Sequence, residues 1–159
     1  MAERARLESV YTSKGYRGFE SLPLRWYDHK KITPLYYFGE GLSYTSFKYS
    51  DIKTTKNSDK EVKISFRLTN SGSRDGAEIA QLYVSDKASS VERPVKELKG
   101  FEKVFLKKGE SKTVTLTLSK HDFEFWHPQQ KDWVFEKGEF ELQVGPSSNR
   151  RVLKGSVSL

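Results

Sequence analysis

From about residue 48 onward, apolar and polar positions alternate in short runs. Val62, Ile64, Phe66 and Leu68 interleave with Lys63, Ser65, Arg67 and Thr69, the period of two expected of a strand with one buried face. Asn70-Ser71-Gly72-Ser73-Arg74-Asp75-Gly76 is a turn cluster, and Ile79 to Val84 forms the next apolar run. Phe101 to Leu106 follows Gly100 and stops at Lys107-Lys108-Gly109-Glu110. Val114, Leu116 and Leu118 then alternate with Thr113, Thr115 and Thr117. Phe123-Glu124-Phe125-Trp126 and Trp133-Val134-Phe135 flank the loop His127-Pro128-Gln129-Gln130-Lys131-Asp132. Phe140, Leu142 and Val144 alternate up to Gly145-Pro146, and Val152 to Val157 closes the series. Roughly seven to nine short strands, parted by Gly, Pro, Asn and Asp, with no strong helical segment, predict an all-β fold.

The best match to that rhythm is an antiparallel two-sheet sandwich, immunoglobulin-like or fibronectin type III-like; a small barrel is the alternative. Residues 22–47 break the pattern. They carry Trp26, Tyr27, Tyr36, Tyr37, Phe38 and Tyr44 among two prolines, Pro23 and Pro34, which exclude a regular helix across the stretch. Gly39 and Gly41 allow a bend. Each buried aromatic ring removes ~150–250 Å² from water, so this extended ribbon is expected to lie against something, either this domain or a neighbour. Residues 1–21 are polar and without an apolar stripe at helical spacing, which reads as a flexible leader or remnant. The expected organisation is therefore 1–21 leader, 22–47 extended ribbon, and 48–159 sandwich.

At 159 residues the chain is about one domain long. Leu, Ile, Val and Phe make up about a quarter of it, above the ~20% below which chains fail to order. The absence of cysteine removes disulfides, thiol nucleophiles and Cys-based metal sites. Lys and Arg exceed Asp and Glu by 28 to 21, a net charge of +7, which favours polyanions at long range. The basic residues nevertheless occur in pairs, such as Lys30-Lys31, Lys107-Lys108 and Arg150-Arg151, with acidic residues interspersed. Neither a basic block nor a nucleic-acid motif is present, so no nucleic-acid role is expected. No apolar run approaches the ~20 residues of a membrane span, so no membrane partner is expected. The opening Met-Ala-Glu-Arg-Ala-Arg has no apolar stretch behind its charges, so the sequence reads without a signal peptide.

Catalytic chemistry is scarce. His29, His121 and His127 are the only imidazoles, and their spacing lacks any zinc signature; solvated or capping roles are the better reading. Ser119-Lys120-His121-Asp122 has the letters of a serine triad, but a triad is assembled from distant segments. Ser119 reads instead as an N-cap, its oxygen accepting from the amide of residue 121 or 122. Gly39-Glu40-Gly41 is no phosphate loop, and no two acidic residues are singled out as a glycosidase pair. No cofactor is expected. Trp126 and Trp133 could form a flat platform for stacking sugar or phenolic rings; a cross-strand pair over the sandwich is the preferred reading.

Pro34-Leu35-Tyr36-Tyr37-Phe38-Gly39-Glu40-Gly41-Leu42-Ser43-Tyr44-Thr45-Ser46-Phe47 resembles the P-L-F-P-F-G-x-G-L-S-Y-T-x-F segment of glycoside hydrolase family 3. In those β-glucosidases and β-xylosidases it leads from the α/β-sandwich domain into a C-terminal fibronectin type III-like domain. Further blocks follow in the same order: Leu68 to Gly72, Asp75 to Val84, Arg93-Pro94-Val95-Lys96-Glu97-Leu98-Lys99-Gly100-Phe101, Lys108-Gly109-Glu110, and Gly138-Glu139-Phe140 through Gly145-Pro146-Ser147-Ser148. The likeness covers roughly residues 24–153. Tyr37 departs from it, standing where the family usually has proline, and Leu22-Pro23-Leu24 stands where Gly-Tyr is expected.

The resemblance implies a non-catalytic module, because the family's nucleophile and acid/base lie in domains that do not fit in this length. No catalytic residue, cofactor site or metal site is carried over. The implied partners are the catalytic domains of a parent glycosidase, which the module would buttress. Trp26, Tyr27, Leu35, Tyr36, Tyr37, Phe38, Leu42 and Tyr44 are the candidate interdomain residues. Such a surface, alone, is expected to promote self-association. The alternative is an accessory module adsorbing to cellulose, xylan or lignin through basic and aromatic residues, with Trp126 and Trp133 as the stacking candidates. A secreted or periplasmic location is favoured if the parent acts on plant polysaccharides.

Overall fold

The computed structural model describes residue 30, residues 32–58 and residues 61–159. The predicted leader 1–21, together with Trp26, Tyr27 and His29, lies outside the described residues. Among the described residues nine strands follow one another: β1 Phe47–Ser58, β2 Glu61–Asn70, β3 Gly76–Asp86, β4 Glu97–Leu106, β5 Ser111–Ser119, β6 Phe125–His127, β7 Asp132–Val134, β8 Glu139–Gly145 and β9 Leu153–Ser158. They form a three-stranded sheet in the order β1-β2-β5, a four-stranded sheet in the order β4-β3-β8-β9, and the β6-β7 ribbon. Every pairing is antiparallel. The two larger sheets stack as a sandwich rather than closing into the alternative barrel, with β1 lying near β9 and β4 near β5 along the two seams.

Alternation decides which face is inside. On β2, Val62, Ile64, Phe66 and Leu68 are buried while Lys63 and Arg67 are exposed. Facing rows from β3 (Ala80, Leu82, Val84), β4 (Val104, Leu106) and β8 (Phe140, Leu142, Val144) complete one core. Phe123 meets Phe140 edge-on at 5.0 Å and Tyr49 stacks on Phe66 at 6.0 Å, separations typical of aromatic pairs. Removing these faces from water is the main favourable term in folding.

The turns are held by side chains as well as backbone. Asn70, fully buried, donates through Nδ2 to the carbonyls of Arg74 (2.8 Å) and Leu106 (3.1 Å). Its Oδ1 accepts from Thr45 Oγ1 at 2.7 Å and from the Gly72 amide at 3.2 Å. The Lys107–Glu110 stop is a tight turn in which the Glu110 amide donates to the Lys107 carbonyl and Glu110 Oε2 accepts from the Lys107 amide. In β1 the register slips between Ser50 and Lys53, where Asp51 adopts φ +57°. Its carboxylate accepts from Ser50 Oγ (3.0 Å) and pairs with Arg67 (3.2 Å), a local anchor for an otherwise uncommon conformation.

The segment from Phe123 to Trp126 is not the single strand that its pattern suggests. Ser119 does stand at the N-cap, but of a 3-10 turn, Lys120–Phe123. Its hydroxyl donates to Asp122 Oδ2 (2.8 Å), which also accepts from the Ser119 amide (2.7 Å), and the two residues form a capping box. The turn drops Phe123 into the core, and the strand resumes only at Phe125. Its partner strand likewise ends at Val134, leaving Phe135 to pack against the core.

Candidate functional site

Residues 32–46 have no regular secondary structure, yet the sandwich grips their backbone. The Ser148 amide donates to the Phe38 carbonyl at 2.9 Å, and the Ser71 amide donates to the Ser46 carbonyl at 2.8 Å. Between these two points the chain makes a turn at 37–40, closed by the Glu40 amide on the Tyr37 carbonyl at 2.9 Å. Glu40 Oε2 also accepts from the Tyr37 amide at 2.8 Å. A proline at 37, the residue usual in the resembled motif, has no amide hydrogen to make that bond. Gly39, at φ +78°, lies directly over the Gln81 carboxamide.

What the backbone grip leaves outward is apolar. Leu35, Tyr36, Phe38, Leu42 and Tyr44 are exposed, with Leu35 at 89% and Tyr44 at 92%, whereas Tyr37 is half-buried. The ribbon thus lies against this domain through its main chain and turns most of its large side chains away from it. Five neighbouring large apolar groups in water are unusual for a free-standing surface.

Sequence reasoning missed a second exposed row. On the outer face of the four-stranded sheet, Phe101 is 68% and Phe105 56% exposed, with Ile79 beside them. The strand register sets Phe101 opposite Gln81 and Phe105 opposite Ala77. Because Gln81 is the residue under Gly39, this row adjoins the ribbon. The signal was present in the alternation of Phe101 and Phe105 against buried Val104 and Leu106, which puts two phenylalanines on the outer face.

The tryptophans do pair across strands. Trp126 is opposite Trp133 in the β6-β7 register, with ring centroids 6.2 Å apart and planes at 73°. Both are half-buried, and Trp133 also packs on His121 at 5.6 Å. Edge-to-face rings do not share one plane on which a sugar or phenolic ring could lie flat.

Several charged groups in the described residues are occupied with one another. Arg93, 7% exposed in its side chain, bridges Asp86 (2.9 Å) at the end of β3 and Glu97 (3.0 Å) at the start of β4, and stacks over Phe125 at 4.9 Å. Lys99 adds a second cation on Glu97 at 2.6 Å. Burial works against the Glu97 charge, but Lys99 and Arg93 together outweigh it and hold its pKa below the ordinary carboxylate value. Glu141, in a shallow groove with Lys87, Glu139 and Lys154, has its pKa lowered first by the hydrogen bond from Lys87 at 2.8 Å. His121 pairs with Glu124, and His127 Nδ1 accepts from the Gln130 amide. Among the described residues, no three His, Asp or Glu side chains are grouped to hold a metal ion, and no helix is long and apolar enough to cross a membrane.

Comparison with known proteins agrees with this architecture. Residues 78–148 match the fibronectin type III-like domain family. The thermostable β-glucosidase B of Acetivibrio thermocellus is 55% identical over 136 residues, 84% of this chain and 18% of that protein. A probable β-glucosidase I of Aspergillus fumigatus is 38% identical over 99% of this chain and 19% of its own length. Among solved structures, the family 3 β-glucosidase of Bifidobacterium adolescentis superposes with a TM-score of 0.81 at 38% identity, covering 85% of this chain and 20% of that one. The chain therefore spans about a fifth of the length of the curated relatives it matches. A two-sheet sandwich with these relatives, matched over so small a share of them, belongs to the fibronectin type III-like modules that form the C-terminal part of glycoside hydrolase family 3 enzymes.

Proposed function

We propose that the chain is a non-catalytic module that stabilises the catalytic domains of a parent enzyme hydrolysing β-glycosidic bonds. The observation that carries this reading is the ribbon: its backbone is fixed by Ser148, Ser71 and the turn at 37–40, while Leu35, Tyr36, Leu42 and Tyr44 face water. A segment held rigid with its apolar groups outward pays the ordering entropy of an interface in advance. The named relatives are β-glucosidases about five times as long, which supplies a partner for that surface. Arg93 and Lys99 tie the connection between β3 and β4 to itself through Asp86 and Glu97, which suits a scaffold.

The test is an exchange. The segment of the Acetivibrio thermocellus enzyme that this chain matches is replaced by the corresponding residues of this chain, and separately deleted. The exchanged enzyme is expected to retain its half-life of aryl-glucosidase activity on heating, and the deleted enzyme to lose it. Equal half-lives for exchanged and deleted enzymes would overturn the proposal, as would turnover of aryl glucosides or xylosides by this chain alone.

A further inference from the structure

The two outer faces of the sandwich differ in kind. That of the three-stranded sheet is hydroxylic and charged, with Lys63, Ser65 and Arg67 on β2 set opposite Thr117, Thr115 and Thr113 on β5. That of the four-stranded sheet is divided: on its β4 side Phe101, Phe105 and Ile79 surround the exposed Lys103 and adjoin the ribbon at Gln81, while its β8-β9 side carries Glu139, Glu141 and Lys154. An edge strand such as β4 normally meets water with charged or polar groups, and lone exposed apolar residues need no explanation. Here β4 keeps one such charge, Lys103, on this face, but the two phenylalanines that flank it continue an apolar ribbon that the same sheet holds in place.

We infer that the β4 side of the outer face of the four-stranded sheet, through Phe101, Phe105 and Ile79, is the part of the sandwich that seats against the catalytic body of the parent polypeptide, jointly with the ribbon. This rests on the stabilising role proposed above and adds which face performs it. The occupant is the rest of the parent chain for two reasons. The relatives that carry this module are about five times its length, so a large covalently joined partner is at hand. The surface is also continuous with the ribbon, which in the resembled motif is the segment joining the module to the domain before it. A second copy is the rival occupant, and the oligomeric state of the isolated chain separates the two. The three-stranded face stays in water.

The experiment uses the exchanged β-glucosidase described above, carrying Phe101→Ser, Phe105→Ser or both, with Thr115→Glu on the opposite face as control. Phe101→Ser with Phe105→Ser is expected to shorten the half-life of heated activity by about tenfold, as loss of buried aromatic anchors does, and Thr115→Glu to leave it unchanged. In the isolated chain the same variants are expected to hold the unfolding midpoint within about 2 °C, because both rings are exposed there. A footprint that needs no variant accompanies this: Phe101 and Phe105 are expected to oxidise with hydroxyl radicals several-fold more slowly in the exchanged enzyme than in the isolated chain. If the wild-type module stabilises the enzyme while the phenylalanine variants match it and the rings oxidise equally, the face is wrongly assigned and the stabilising role survives. If the deleted enzyme is as heat-resistant as the exchanged one, the stabilising role itself fails. If the isolated chain sediments as a dimer that Phe101→Ser dissolves, while the rings stay reactive in the exchanged enzyme, the occupant is a second copy and the inference is overturned.

Discussion

The Gln81 carboxamide occupies the space into which a side chain on residue 39 would project. A Cβ on Gly39 overlaps Gln81 Nε2 and comes within 3.1 Å of the Pro146 carbonyl, the same oxygen to which that Nε2 donates. Gln81 is fixed from its other end by the Tyr83 hydroxyl, which donates to its Oε1, and is 4% exposed. The contact between ribbon and sandwich is thus a backbone-to-amide seat that only glycine fits.

Gly39→Ala is expected to unseat the ribbon without unfolding the sandwich. The φ of +78° costs a residue with a Cβ about 1–2 kcal/mol, and the overlap with a pinned amide adds to it. The Ser148 amide, which donates to Phe38, is expected to lose protection from hydrogen exchange, while core amides on β2 and β3 keep theirs. Equal loss across the core would show that the ribbon is integral to the fold instead.

Arg93→Met is expected to be among the costliest changes outside the apolar core. It leaves Asp86 and Glu97 buried without the cation that bridges them, and removing one partner of a buried pair costs about 3–5 kcal/mol. Arg93→Lys should recover only part of this, because an ammonium cannot reach both carboxylates with the planar fork of a guanidinium. Urea midpoints of the three proteins check the order. Since the folded-state pKa of Glu97 is depressed, its contribution is present above the unfolded carboxylate value and is lost as pH falls through the folded value. The gap between wild type and Arg93→Met is therefore expected to narrow in acid.

How far the sequence discloses all this follows from the range of each interaction. The sandwich is legible because alternation on β2, β5 and β8 encodes a buried face residue by residue, and the matching of Asn70 to Gly76 with a turn needs only neighbours. The break at Phe123 was not legible as strand grammar, since it depends on an Asp122 carboxylate capturing Ser119 three residues back. Phe101 and Phe105 were legible as sharing one face of a strand, through their alternation with Val104 and Leu106, but which of the two faces meets the other sheet is a property of topology. The role of Gln81 depends on Pro146, 65 residues away, and no local pattern carries that; the carboxylates that Arg93 bridges are near it in sequence, but their burial is set by the fold.

Asn70 ties three elements through one amide, and its replacement separates shape from hydrogen bonding. Asn70→Ala deprives the Leu106 and Arg74 carbonyls of a donor and the Gly72 amide and Thr45 hydroxyl of an acceptor. With buried groups left unpaired at ~1–3 kcal/mol each and some rescued by water, the expected loss is about 2–4 kcal/mol in chemical denaturation. Asn70→Asp is nearly isosteric yet points a carboxylate oxygen at two carbonyls, so at neutral pH it should destabilise at least as much. A stability equal to wild type for Asn70→Asp would show that volume, not the donor, matters at this turn.

Glu78 is the carboxylate whose removal is expected to help. It stands in the inward-facing row of β3, opposite Val104, and burial raises its pKa above the ordinary value, against the partial opposition of the Ile79 amide (2.9 Å) and the charge of Arg150. Tyr49, whose buried hydroxyl finds no hydrogen-bond partner among the described residues and whose own pKa burial drives up, feels the Glu78 charge as well. A carboxyl with a raised folded-state pKa binds its proton more tightly folded than unfolded. Its favourable contribution is complete below the unfolded value and disappears as pH rises through the folded one. Glu78→Gln keeps an oxygen for the Ile79 amide and carries no charge at any pH. The variant is expected to be more stable than wild type at neutral pH by about 0.5–1 kcal/mol, the scale of a partly exposed substitution, with the advantage shrinking toward about pH 4. The difference between the two denaturation series isolates this group, because Glu97, Glu110, Glu136 and Glu141 have lowered values and affect both proteins alike. An advantage that stays constant from about pH 4 to about pH 8 would mean that the gain comes from packing and not from the carboxylate's charge.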